Sequence, residues 1–171
     1  MNIDPFLAWL EGTALSQWVV GSDSIFAFPG ILCLHAIGMG LAVGTSAALD
    51  LRILGVARGI PLAEMRRFLP VLWFGFWVNA VSGVLLLVGY PTKALTNPVF
   101  YLKLSLIAVA MVLLVRTSRR LFGPGVEAPM DPVPAPSLRR LAIASLVCWA
   151  AAITAGRLLA YTYTRLTQSF R

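Results

Sequence analysis

Four side chains stand where an apolar chain has reason to avoid them: His35, Asn79, Lys103 and Arg157. Each lies inside a run of about 20 mostly apolar residues, the length that crosses the hydrocarbon core of a bilayer as a helix. An ionisable group at that depth is expensive and marks a functional site by default. His35 is the only histidine of the chain, and no acidic residue shares the level of Lys103 and Arg157. Buried cations without carboxylate partners point to an anionic ligand. A b-type haem meets both needs. Its iron takes a neutral imidazole, and its propionates take Lys or Arg near the membrane surface. In this reading His35 is the axial metal ligand. Lys103 and Arg157 hold propionates or an anionic substrate, and Asn79 adds a hydrogen bond.

Depth supports that arrangement. At 1.5 Å per residue, His35 lies roughly 15 Å from the start of its span, while Lys103 and Arg157 lie about five and six residues from the same side of the membrane. A haem standing with its propionates outward needs a deep histidine and shallower cations. Met39 shares a helix face with His35 and so cannot also reach the opposite side of the iron. The sixth position is then open, filled by another side chain, or supplied by a second subunit. The plainer reading has His35 bonding between helices while the two cations snorkel to the interface.

The elements that must position these residues follow from composition. Of 171 residues, 58% are hydrophobic and 12% charged, and mean hydropathy is +0.81. A soluble domain carries about 25% charged residues, so the pattern predicts an all-α integral membrane four-helix bundle in one domain. The spans are expected near 25–49, 68–90, 98–116 and 139–163. Residues 3–20 are too short and polar to span. Phe6, Leu7, Trp9, Leu10, Leu15 and Trp18 predict an amphipathic interfacial helix, broken in two at Gly12. Ser22, Asp23 and Ser24 offer N-caps for the first span. Along it, Ala36, Gly40, Gly44 and Ala47 or Ala48 recur at a spacing near four, a face that lets helices approach closely. Asp50 and Arg52 mark its exit. Residues 117–138, rich in Pro and Gly, read as a flexible cytoplasmic loop. Cys33 and Cys148 both fall inside apolar spans and read as buried, unpaired thiols.

The net charge of +7 is not a nucleic-acid signature, because nine of the fourteen basic residues crowd two short inter-span segments. Arg52, Arg58, Arg66 and Arg67 fill the first; Arg116, Arg119, Arg120, Arg139 and Arg140 fill the third. The positive-inside rule puts both segments in the cytoplasm and both termini outside it. No basic region precedes the first apolar residues, so no secretory signal is expected. Nucleophile elbows, phosphate-binding loops and paired carboxylates are absent from the sequence. The partners expected are the lipid bilayer and a redox partner or second copy of the chain.

The stretches LHAIGMGLAVG around His35 and NPVFYLKLSLIAVAM around Lys103 resemble the four-helix, haem-containing membrane protoporphyrinogen IX oxidase of bacteria. They are also similar to the membrane domain of copper resistance protein D. SLVCWAAAITAGRLLAY, Ser145 to Tyr161, and LDLRILG, Leu49 to Gly55, resemble an uncharacterised family of small four-helix bacterial membrane proteins. The oxidase resemblance implies that His35 binds haem and that Lys103 contacts haem or substrate, in a membrane oxidoreductase. The AGRLLAY ending and the interfacial N-terminal segment depart from that oxidase. The function expected is therefore haem b binding with an electron-transfer or redox role. A non-enzymatic scaffold or transport subunit is the alternative. Copper handling stands behind both, because copper sites gather several Met and His and this chain has one His and five scattered Met.

Overall fold

The computed structural model describes residues 4–124 and 135–168. The chain runs α1 (Asp4–Glu11), α2 (Ala14–Gly21), α3 (Phe28–Ile53), a 3-10 helix (Leu62–Phe68), α4 (Leu69–Gly89), α5 (Pro91–Leu95), α6 (Pro98–Phe122) and α7 (Pro136–Gln168). The segments Phe28–Ile53, Leu62–Gly89, Pro98–Phe122 and Pro136–Leu159 are long and apolar enough to cross a membrane. They run up and down. One end of the bundle carries the short helices α1, α2 and α5; the other carries the arginines of the first and third inter-span segments. Large apolar side chains such as Ile37, Phe74, Val84, Leu104 and Val147 are exposed on the outer faces, as contact with lipid requires.

Helix starts follow local chemistry. Pro29, Pro70 and Pro98 sit in first turns, where a missing N–H costs nothing. Asn97 caps α6, its Oδ1 accepting from Val99 N at 3.0 Å, and its Nδ2 donates to Thr162 Oγ1 at 2.9 Å. That second bond ties the start of α6 to the end of α7. The N-terminal segment does break at Gly12, with Thr13 capping α2. The expected caps at 22–24 do not serve α3: its N-cap is Ala27, without a side-chain bond, and Ser24 Oγ instead accepts from Phe26 N in the preceding turn.

Three further expectations are revised. Helices α6 and α7 extend past the expected limits, so 117–122 and 136–138 are helical rather than loop; residues 125–134 of that loop lie outside the described residues. Cys33 is exposed on α3, and only Cys148 is partly buried. Asp50 and Arg52 do stand in the last turn of α3, but not in solvent. Both are buried, and α3 continues to Ile53. The Arg52 guanidinium turns back to the carbonyls of Arg58 and Ile60, pinning the loop, where Gly55 adopts φ +99.

Two hairpins make the bundle, α3 with α4 and α6 with α7, joined chiefly where α3 meets α7. The buried core, with Leu49, Ile53, Leu72, Leu114, Leu121 and Trp149 among its members, fills the arginine half. There Trp149 Nε1 donates to Ser46 Oγ at 3.0 Å across the α3–α7 joint. Within the first hairpin the close approach is at Gly38 against Gly75. A Cβ at Gly38 would lie 2.6 Å from Asn79 N. Gly40 and Gly44, the expected contact face, have nothing within 4 Å of a built Cβ. Helices α4 and α6 do not pack closely, and a cleft lined by all four long helices opens between the hairpins.

Candidate functional site

His35 projects from α3 onto α4, where three groups meet its ring. Its Nδ1 lies 3.0 Å from the Asn79 carbonyl, 3.2 Å from Ser82 Oγ and 3.3 Å from Asn79 Nδ2. Hydrogen bookkeeping assigns the tautomer. Ser82 has one hydrogen and directs it to Val78 O at 2.6 Å, leaving lone pairs toward His35. Asn79 Nδ2 is better placed on the His35 carbonyl, at 2.8 Å. Nδ1 therefore faces two acceptors and carries the proton, and Nε2 keeps its lone pair. Nε2 has no hydrogen-bond partner among the described residues. A backbone carbonyl on Nδ1 with a free Nε2 is the arrangement that orients metal-bound histidines.

Sequence made room for this contact. Gly83 lies one turn after Asn79, and a Cβ there would stand 3.1 Å from His35 Cε1. Gly83→Ala is expected to push the imidazole off the Asn79 carbonyl at a cost of about 1 kcal/mol, with helix content unchanged. Nitrogen-15 NMR of the His35 ring checks this: a spectrum identical to the parent's would show that the ring needs no such space.

The cleft between the hairpins is lined by Met39, Phe76, Asn79, Lys103, Ile107 and Trp149 among others, and its cavity measures about 20 Å³. That holds roughly one water. Lys103 enters from α6 with its stem against Gly156 of α7, Nζ standing 3.8 Å from where a Cβ would be. Its ammonium is partly buried and has no hydrogen-bond or ion-pair partner among the described residues. It lies near enough to His35 to act on it electrostatically. The structure thus brings Asn79 and Lys103 to the cleft, with His35 bonded to Asn79 and outside the lining. Arg157 is exposed on α7 and does not line the cleft. Among the described residues no three His, Cys, Asp or Glu side chains form a metal-binding group, so His35 is a lone imidazole donor.

Sequence reasoning gave no role to Ser82 or Gly83, which fix the tautomer and make room for the ring. The signal was their spacing: residues three and four positions after Asn79 share its helix face. Compared with family models, curated proteins and solved structures, the chain matches none.

Proposed function

We propose that this is a haem b-binding protein of the bacterial inner membrane with an electron-transfer role, both termini on the periplasmic side. One observation carries the reading: His35 Nδ1 is held by the carbonyl of Asn79, which leaves Nε2 as a neutral donor, and Asn79 itself lines an apolar cleft. The donor chemistry fits a haem ligand, and the unpartnered Lys103 ammonium fits a propionate. The orientation rests on the arginines at one end of the bundle. The resemblance around His35 and Lys103 to the membrane protoporphyrinogen oxidase points the same way.

Space sets a condition. The cavity holds one water, so a macrocycle enters only by parting the hairpins along α4 and α6, where they are not closely packed. Bound haem supplies reversible one-electron transfer. The chain's own residues do the rest: Asn79 and Ser82 hold the imidazole in one tautomer, Gly83 gives it room, and Phe76, Met39 and Ile107 keep water from the cleft. Lys103 offers the positive charge that an anionic edge requires.

An absorption spectrum of the detergent-purified protein, made with haem precursor supplied, tests the proposal. A Soret band with sharp α and β bands on dithionite reduction is expected. A colourless protein, where a control haem protein fills, would end the haem reading. The narrow cavity would then favour the second reading, a closely packed membrane scaffold in which His35 is an interhelical hydrogen bond.

A further inference from the structure

A second polar site lies at the opposite end of the bundle, on the joint between the hairpins. Asp50 of α3 is 1% exposed, yet its Oδ2 has no hydrogen-bond partner among the described residues. Ser145 of α7 is 0% exposed, and its Oγ likewise has none. It stands close enough to the Asp50 carboxyl to influence it while outside hydrogen-bond geometry. Thr117 of α6, 1% exposed, is a third unsatisfied buried group among the described residues. The three fall between residues of one core cluster: Leu49 and Ile53, Leu114 and Leu121, Ala142 and Trp149. Three helices therefore each bring one unsatisfied oxygen into the same apolar region.

Ionised, the Asp50 carboxylate would need a cation or several donors to replace its lost hydration. The described surroundings supply neither. On its own helix, Arg52 is turned to the carbonyls of Arg58 and Ile60. Glu64 and Arg67 of the 3-10 helix pair with each other at 3.1 Å, both largely outside the core. Arg66, Arg116, Arg119, Arg120, Arg139 and Arg140 are exposed, and α4 carries no ionisable residue. His35 and Lys103 belong to the other half of the bundle. A neutral acid avoids the unpaired charge and gains a hydrogen to donate.

We propose that Asp50 is a proton-binding site: the folded bundle holds its carboxyl as the neutral acid at the α3–α7 joint, beside Ser145. The proton keeps the joint neutral, and its loss places an unpaired charge between the two hairpins. The site does not depend on what His35 binds.

Infrared spectroscopy of the full-length protein in lipid tests it, with protons and deuterons as the probe. At mildly acidic pH, where exposed carboxyls are ionised, the wild type is expected to show one acid carbonyl band that shifts in deuterium oxide. Asp50→Asn is expected to lack the band while keeping its helical circular dichroism. Identical acid-carbonyl spectra for the two proteins would overturn the proposal. So would a melting temperature raised by sodium chloride over choline chloride in the wild type alone, which would assign the site to a metal cation. If Asp50→Asn fails to fold, Ser145→Ala decides: a band displaced in frequency supports the site, and an unmoved band rejects it.

Discussion

His35→Ala protein, purified beside the wild type under the same haem supply, is expected to show no Soret band and no reduced α or β band. Its helical circular dichroism is expected to match the parent's. The loss should be nearly complete, because His35 is the one imidazole of the chain and among the described residues no three His, Cys, Asp or Glu side chains form a metal-binding group. Structural damage should be modest. The substitution removes the bonds from Nδ1 to Asn79 O and Ser82 Oγ, about 1 kcal/mol net. Imidazole added to the medium should restore part of the band, since the truncated side chain leaves its own volume empty. Lys103→Met keeps length and packing while removing charge. It should weaken haem retention roughly ten- to hundred-fold, in line with the roughly 1.5–3 kcal/mol of a charge-assisted hydrogen bond. Arg157→Gln should change retention little, since that side chain is exposed and outside the cleft. Full haem and an unchanged spectrum in His35→Ala would sink the proposal. Equal losses in all three proteins would mean that folding, not ligation, had been measured.

How much of this was legible in the sequence differs residue by residue. The four spans were, because a 20-residue apolar run has few physical alternatives. The break at Gly12 was too. His35 and Asn79 were legible because polar groups in apolar helices must find partners, and the structure bonds the two to each other, while Lys103 joins Asn79 in the cleft lining. Arg157 was counted with them by depth alone. Depth fixes a residue's level along a helix, but the direction it faces depends on which neighbour the helix packs against, and α7 turns Arg157 outward. The place of Asp50 at the helix end was legible, but its burial was not, for a related reason. A charge near a helix end reads as a boundary when solvent is assumed to begin there. The chain instead continues the core past Asp50 to Ile53 and Leu62.

The glycines of α3 give the second large effect and explain why the contact face was misplaced. Spacing of four along Ala36, Gly40 and Gly44 marks a smooth stripe, but a stripe is a contact only if a partner helix lies on it. The structure puts α4 on Gly38. A methyl there would stand 2.6 Å from Asn79 N and 2.8 Å from Gly75 O. Backbone atoms cannot swing aside as a flexible side chain can, so α3 and α4 must move apart. Gly38→Ala is therefore expected to destabilise the bundle by roughly 3 kcal/mol, the upper part of the overpacking range. Gly44→Ala meets nothing within 4 Å and should be neutral or up to about 1 kcal/mol more stable, since alanine is the better helix former. Unfolding of both variants in mixed detergent micelles gives the comparison. The consequence reaches the site as well. Asn79 N is the first atom a methyl on Gly38 would meet, and Asn79 O is what holds the His35 ring. Gly38→Ala should therefore perturb the imidazole even in the fraction that stays folded, as Gly44→Ala should not. If the two alanine variants unfold alike, the α3–α4 crossing is not at Gly38, and the bond from Asn79 to His35 would lose its structural basis.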